Sequence, residues 1–98
     1  MQYKVLFERR IFTKDLKMID TKDQKKIFSQ IGKKLKTHPK EYGKMLSGNL
    51  NGYYSLRIGE FRVVYSVREE RIEVFVIKIG FRRNEEVYLE AGRRPGIL

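Results

Sequence analysis

The sequence contains no cysteine, and its only histidine is His38. Without cysteine, a disulfide framework and a thiolate metal site are both excluded, and a single histidine argues against a zinc centre. No apolar run approaches the roughly 18 residues that a membrane span needs, and charges follow the first short apolar run too closely for a signal peptide. We therefore expect a cytoplasmic protein with no metal, no small-molecule cofactor and no membrane partner.

The composition predicts a single folded domain over residues 1–98. A hydrophobic content of 41% is ordinary for a globular chain and far too high for a disordered one. A chain of 98 residues also leaves no room for a second hydrophobic core.

Positive charge dominates the sequence. Lysine and arginine total 22 against 12 acidic residues, which gives a formal net charge of +10. Such an excess destabilises a small domain by self-repulsion unless a polyanion offsets it, so a nucleic acid is the expected target. A charged surface that serves only solubility, or an acidic protein partner, is the alternative interpretation.

The two halves of the chain use different cations. Residues 1–51 carry thirteen basic residues, eleven of them lysine, against five acidic ones. Residues 52–98 carry nine, eight of them arginine, against seven acidic ones. Lysine suits diffuse attraction to phosphate, whereas the planar guanidinium group suits defined contacts with phosphate oxygens. We therefore predict a lysine-rich docking surface and a separate arginine site.

The pattern of the first half predicts a strand and two helices. The strand covers Tyr3–Phe7, and a first helix covers Arg10–Ile19 with its apolar residues on one face. The second helix covers Lys22–Lys36, where Thr21 and Gln24 have the spacing of a capping box.

The second helix is amphipathic with a basic outer surface. Lys33 and Lys34 are among the lysines outside its apolar stripe, and we expect them to contact RNA. His38 and Pro39 end the helix, and a polar loop is expected from there to Asn51 and Gly52.

The second half predicts an antiparallel meander. Three runs, Tyr53–Ile58, Phe61–Val67 and Ile72–Ile79, have strand character and are joined by short turns. Asn84–Glu90 has helical character, and Gly92 with Pro95 would end it. The expected fold is α+β with the order β-α-α-β-β-β-(α), in which a helical pair packs on one face of an antiparallel sheet.

Arginines gather on the sheet face that the helical pair leaves free. Strand alternation places Arg57 and Arg62 on the same side of one hairpin. Arg82 and Arg83 follow the last strand, and Tyr88 comes within two helical turns. We expect these groups to converge on one surface. The alternative is that each arginine pairs with a nearby glutamate as a solvated edge charge, with Glu60, Glu69, Glu73 and Glu85 as the available partners.

These residues also carry a family resemblance. The segment GNLNGYYSLRIGEFRVVYSV, followed by IEVFVIKIGFRRNEEVY, resembles the RelE/ParE toxin superfamily of toxin–antitoxin pairs, and most of all its RelE branch. The similarity is most specific in L-R-x-G-x-F-R-V-V-Y and in the G-F-R…V-Y ending, and it spans nearly the whole chain. It implies a RelE-like fold and a toxin that cuts messenger RNA in the ribosomal decoding site.

The implied reaction is attack of a ribose 2′-OH on the neighbouring phosphate, which releases the 5′-OH. Such a step needs a base, an acid and cations that stabilise the charge on the phosphorane. By the resemblance, Arg62 is the transition-state arginine and Arg82 is a phosphate binder or acid. Tyr88 would stack on a base or orient the nucleophile. Arg57 and Arg83 are expected to contact RNA beside them.

The sequence departs from the RelE pattern at three positions. Tyr53 and Ser55 stand where that pattern has two lysines, and we expect them to contact RNA. Phe81 stands where histidine or lysine is common. The general base is consequently open, and its candidates are Tyr53, Glu60, Lys44 and His38.

The resemblance implies three partners and leaves two other functions open. The partners are the ribosome, messenger RNA and an acidic RelB-like antitoxin that would wrap the basic surface. A ParE-like toxin that inhibits DNA gyrase without nuclease activity is one alternative function. A non-toxic basic RNA-binding module is the other.

Overall fold

The computed structural model describes residues 2–83 and 86–94. Its strands and α-helices, in chain order, are β1 (Lys4–Phe7), α1 (Thr21–Lys34), α2 (Pro39–Tyr42), β2 (Lys44–Met45), β3 (Tyr53–Ile58), β4 (Phe61–Arg68), β5 (Glu73–Phe81) and α3 (Glu86–Gly92). The α+β prediction is confirmed. Asn84, Glu85 and Pro95, which belong to the predicted C-terminal helix and its end, lie outside the described residues.

The five strands form one sheet in the order β1-β5-β4-β3-β2. All neighbouring pairs are antiparallel except β1 and β5, which run parallel. The predicted antiparallel meander of β3, β4 and β5 is confirmed, and β1 adds one parallel edge strand. The reason is topological, because the long helical crossover after β1 allows that strand to lie parallel beside β5.

The segment between β1 and α1 is not the regular α-helix that the pattern predicts. It forms a π-helical turn at Ile11–Asp15 and a 3₁₀ turn at Leu16–Met18. Ile11 and Ile19 are buried as expected, whereas Phe12 is exposed. The segment therefore keeps Ile11 and Ile19 in the core although it is not a regular α-helix.

The start of α1 also differs from the prediction. The N-cap residue is Asp20, and no side chain caps the helix. The Gln24 amide nitrogen instead donates to the carbonyl oxygens of Leu16 and Ile19, at 2.8 and 2.9 Å. The capping box is therefore absent because Gln24 satisfies the carbonyl groups of the preceding turn.

The predicted polar loop after His38 contains two short regular elements, α2 and β2. Pro39 opens α2 at a position where its missing N–H costs nothing, and its carbonyl oxygen accepts a 2.6 Å hydrogen bond from the buried Tyr65 hydroxyl. This bond ties the segment to β4 and places β2 along the free edge of β3.

The main hydrophobic core lies between α1 and one face of the sheet. It includes Ile27, Ile31 and Leu35 from the helix, and Leu56 and Val63 from the strands. A second, smaller cluster covers part of the other face, where α3 packs. The inward-facing residues agree with the predicted strand alternation on β3 and β4.

Candidate nucleic-acid interface

Arg57 on β3 and Arg62 on β4 are direct register partners. Residues that face each other across antiparallel strands project to the same side, so both guanidinium groups lie on the sheet face opposite α1. Arg57 is exposed, and its Nε lies 3.5 Å from the Gly59 carbonyl oxygen in the hairpin turn. Arg62 is half-buried. The predicted pairing of these two arginines is confirmed.

Tyr88 on α3 lies against Arg62. The Arg62 Nη1 atom donates a 2.6 Å hydrogen bond to the Tyr88 hydroxyl, and the guanidinium carbon lies 5.5 Å from the ring centroid. The Ser55 Oγ atom is 3.2 Å from the same hydroxyl. We refer to Ser55 Oγ and Tyr88 OH as the hydroxyl pair. A guanidinium and two hydroxyls thus meet on one surface, which is a suitable arrangement for binding a phosphate.

The position of α3 follows from close packing on the second cluster. Val87 and Ala91 are buried against Val64 and Ile77 of the sheet. Gly80, the register partner of Arg62, lies directly below the helix. A β-carbon at Gly80 would lie 2.6 Å from Val87 Cγ2, so glycine is required for this approach. The absence of a side chain at Gly80 therefore allows α3 to pack close to the sheet, which brings Tyr88 to Arg62.

Asp15 anchors the same region from the other side of β5. The pairing of β1 with β5 ends at Val76, which leaves the next part of the β5 edge without a neighbouring strand. The Asp15 carboxylate accepts a 2.9 Å hydrogen bond from the Ile79 N–H, and Arg94 Nη1 donates at 2.8 Å to the Ile77 carbonyl oxygen. Two side chains thereby satisfy backbone groups that a strand would otherwise pair.

Asp15 and Arg94 also pair with each other. Arg94 donates from Nη1 and Nη2 to the two carboxylate oxygens, each at 2.8 Å, and Lys78 Nζ lies 2.8 Å from Oδ1. Lys78 Nζ also lies 3.4 Å from Glu90 on α3. Burial alone raises the pKa of Asp15, but hydrogen bonds from Arg94, Ile79 and Lys78 outweigh it and hold that pKa below its ordinary value. The network fastens the C-terminal end of α3 to the sheet.

Arg82 lies just beyond β5, beside the hairpin that carries Arg62. Its backbone N–H donates a 2.6 Å hydrogen bond to the Glu60 carbonyl oxygen. The Nε atoms of both Arg62 and Arg82 are buried, and neither has an acceptor within the described part of the chain. Among the acidic side chains that the structure describes, none forms an ion pair with Arg57, Arg62 or Arg82. The lack of such ion pairs favours a site that is open to an anion over the alternative that each arginine pairs with a glutamate at the sheet edge.

Other predicted contact residues lie away from the hydroxyl pair. Lys33 and Lys34 belong to α1, which packs on the opposite sheet face, and Lys34 Nζ lies 5.5 Å from the Tyr42 ring centroid. Arg83 is exposed and follows Arg82 out of the sheet. Lys33 and Lys34 are therefore apart from the arginine site.

The structure separates the four candidates for the general base. Burial raises the pKa of Tyr53, which is opposite to the lowering that a general base at this position needs. The His38 ring packs against Tyr42, at 6.2 Å between centroids. Lys44 is the register partner of Ser55, and Glu60 is in the turn between β3 and β4. Lys44 and Glu60 thus belong to elements that border the arginine site.

Sequence reasoning missed Asp15, Lys78 and Arg94. One signal was available, because Lys78 is the lone basic residue in the apolar run IEVFVIKI and a buried lysine requires an acidic partner. The pattern does not identify that partner, since Asp15 is 63 residues earlier in the chain.

Within residues 2–83 and 86–94, no helix is long and apolar enough to cross a membrane. The same residues contain no group of three or more histidine, cysteine, aspartate or glutamate side chains that could hold a metal ion.

Comparison with known families identifies the chain. Residues 9–86 match the family model described as the ParE toxin of type II toxin–antitoxin system, parDE. The chain belongs to this toxin family. Together with the relatives described below, the match makes it a RelE-like toxin of the RelE/ParE superfamily, as the sequence resemblance implied.

Curated relatives match a shorter region of this RelE-like toxin. The mRNA interferase toxin RelE of Escherichia coli (strain K12) is 49% identical over 39 residues, which cover 40% of this chain and 41% of the relative. The mRNA interferase RelE of Shigella flexneri gives the same values. The match thus spans about two fifths of the length of these relatives.

Solved structures agree with the fold over most of the chain. The RelBE2 toxin–antitoxin complex from Mycobacterium tuberculosis gives a TM-score of 0.78 at 24% identity, covering 86% of this chain and 95% of that one. An E. coli RelE double-arginine mutant bound to a RelB antitoxin peptide gives a TM-score of 0.69 at 26% identity, covering 93% and 95%. The predicted RelE-like fold is confirmed.

Proposed function

We propose that this toxin is a ribosome-dependent endoribonuclease that cleaves messenger RNA. The observation that carries the proposal is the contact between the Arg62 guanidinium and the Tyr88 hydroxyl, on a sheet face whose arginines form no ion pair with the described acidic side chains. The partial match to mRNA interferases of the RelE type supports the same reaction.

The chemistry is attack of a ribose 2′-oxygen on the adjacent phosphorus. The bond from the 2′-oxygen to phosphorus forms, and the bond from phosphorus to the 5′-oxygen breaks. A base takes the 2′-OH proton, and an acid gives a proton to the leaving 5′-oxygen. The product ends are a 2′,3′-cyclic phosphate and a 5′-hydroxyl.

We assign each site residue a part in this reaction according to its position. Arg62 stabilises the charge that builds on the phosphorane, and Arg82 holds the phosphate from the end of β5. Tyr88 stacks on a base or orients the nucleophile. Arg57, Ser55 and Tyr53 contact the RNA on the same face.

The lysines of α1, with Lys33 and Lys34 among them, suit a different task. They are on the far side of the sheet, where diffuse charge would dock the toxin on ribosomal RNA. Arg83, which is exposed beyond β5, extends the RNA contact. The toxin would act in the cytoplasm, where translation takes place, and an acidic RelB-like antitoxin would neutralise it.

The test is a cell-free translation reaction in which breaks in a defined message are mapped by primer extension. We expect the wild-type toxin to produce breaks in translated regions only, and Arg62→Ala and Arg82→Ala each to lower cleavage by about a hundredfold or more. Arg71→Ala, which changes an exposed arginine in the turn between β4 and β5, serves as the matched control and should cleave normally. Full cleavage by both site variants would refute the assignment.

Inhibition of DNA gyrase is the second candidate, because the family model that matches residues 9–86 is that of ParE. The two functions differ in what stops first after induction. Labelled amino-acid incorporation falls first if the toxin cuts messages, and labelled thymidine incorporation falls first if it inhibits gyrase.

A further inference from the structure

Lys44 on the edge strand β2 belongs to the same sheet face as the arginine site. Lys44 and Ser55 are register partners in the antiparallel pair of β2 and β3. Directly opposite residues project to the same side, so the lysine ammonium extends over the face that carries Ser55 Oγ. Leu46, two residues further along the chain, packs in the cluster beneath α3, which agrees with this orientation.

Three cations consequently border the hydroxyl pair. Lys44 is opposite Ser55, Arg57 is two residues along β3 from Ser55, and Arg62 is opposite Arg57. Opposite Cα atoms in such a sheet are about 4.5–5.5 Å apart, and diagonal neighbours are about 7–8 Å apart. The four-carbon stem of lysine spans this distance, so the Lys44 ammonium can reach an anion at the hydroxyl pair.

Nothing in the described part of the chain neutralises this group of cations. Lys44 is exposed and forms no ion pair with any carboxylate among residues 2–83 and 86–94. Like charges at this spacing repel each other, and an anion bound between them removes the repulsion. A phosphodiester is the anion of matching size, because its two non-bridging oxygens accept charge-assisted hydrogen bonds from separate donors.

We propose that Lys44 is a further phosphate-binding residue of this site and grips the reacting phosphodiester from the edge strand, opposite Arg62. The inference rests on the proposed RNA-cleaving function. In this role Lys44 acts as a cation. Arginine at the same position should therefore replace it, which would not be so for a general base.

Lys4 offers a matched control. It is also an exposed lysine on an edge strand, but it is in β1 at the opposite edge of the same sheet. In the mapped cleavage reaction we expect Lys44→Ala to lower the single-turnover rate by about tenfold or more. Lys44→Arg should stay within about threefold of wild type, and Lys4→Ala should leave the rate unchanged. A wild-type rate for Lys44→Ala, or equal losses for Lys44→Ala and Lys44→Arg, would overturn the proposal.

A binding experiment separates this inference from the proposed function. The probe is a fluorescent single-stranded oligonucleotide with 2′-deoxy sugars, which cannot be cleaved, titrated with toxin at several salt concentrations. Loss of one phosphate contact lowers the slope of log affinity against log salt by about 0.7. We expect this loss for Lys44→Ala and not for Lys4→Ala. If the wild-type toxin binds the oligonucleotide and Lys44→Ala lowers the slope, but the wild-type toxin does not cleave the message, then the proposed nuclease function is wrong and the phosphate contact of Lys44 is supported. An unchanged slope for Lys44→Ala refutes the contact whatever the activity.

Discussion

Arg62 and Tyr88 join the central strand of the sheet to the C-terminal helix through a 2.6 Å hydrogen bond. The two residues are 26 positions apart in the chain, and the same phenol oxygen lies 3.2 Å from Ser55 Oγ. Tyr88 is therefore held by the sheet face on which we place the phosphate. The arrangement orients the phenol against the guanidinium group of Arg62, whose buried Nε atom has no acceptor within the described part of the chain.

Tyr88→Phe tests the phenol oxygen separately from the ring. The ring keeps its packing in the smaller core cluster, while the hydrogen bonds to Arg62 and Ser55 are lost. We expect cleavage in the translation assay to fall about tenfold or more, and the free energy of unfolding in urea to fall by about 1 kcal/mol. Tyr42→Phe, at an exposed ring on α2, is the control. Normal cleavage by Tyr88→Phe would show that the phenol oxygen takes no part in the reaction.

Asp15→Ala should be among the most destabilising single changes in the protein. It leaves Arg94 and Lys78 buried without their shared carboxylate, and it leaves the Ile79 N–H unpaired. Removing one partner of a buried ion pair costs about 3–5 kcal/mol. Urea unfolding followed by circular dichroism measures the loss. Glu69→Ala, which breaks the surface ion pair with Lys40, should cause no measurable change.

The lowered pKa of the Asp15 carboxyl group predicts how the free energy of unfolding depends on pH. The pKa of Asp15 in the folded protein lies below its ordinary value of 3.8, so the unfolded chain takes up the proton more readily. The stabilisation from Asp15 is therefore present above the unfolded pKa and is lost as the pH falls through the folded pKa. We expect the difference in unfolding free energy between wild type and Asp15→Asn to narrow from about pH 6 to about pH 3. A constant difference would contradict the ionised state of Asp15.

The arginine hairpin could be predicted from the sequence because its determinants are local. Side chains alternate along a strand, and the two-residue turn at Gly59 and Glu60 sets the register of β3 against β4. These two facts are sufficient to place Arg57 opposite Arg62. The apolar stripe of α1 is local in the same sense, and its burial against the sheet was predicted correctly.

The Asp15 network could not be predicted, because its causes are distant in the chain. It depends on where β1 stops along β5, and on Arg94, which is 79 residues from Asp15. The sheet also contains a register shift between Val64 and Tyr65, opposite the part of β5 that includes Lys78. Simple alternation fails at such a bulge, so the pattern of IEVFVIKI does not reveal which side chains face α3.

Gly80 and Val87 test whether the close approach of α3 to the sheet positions Tyr88. Gly80→Ala places a methyl group 2.6 Å from Val87 Cγ2 and should displace the helix, which lowers the unfolding free energy by about 1–3 kcal/mol and weakens cleavage. Val87→Ala removes that methyl group, so the double variant should lose less stability than the sum of the two single changes and should regain part of the cleavage.

Gly32→Ala is the control, because nothing lies within 4 Å of a β-carbon at that helical position, and alanine should be neutral or stabilising there. If the two changes are strictly additive in stability, contact at this point does not set the position of α3. If the two changes are non-additive in stability but additive in their effect on cleavage, α3 packs against the sheet as described. In that case the position of Tyr88 does not depend on this contact.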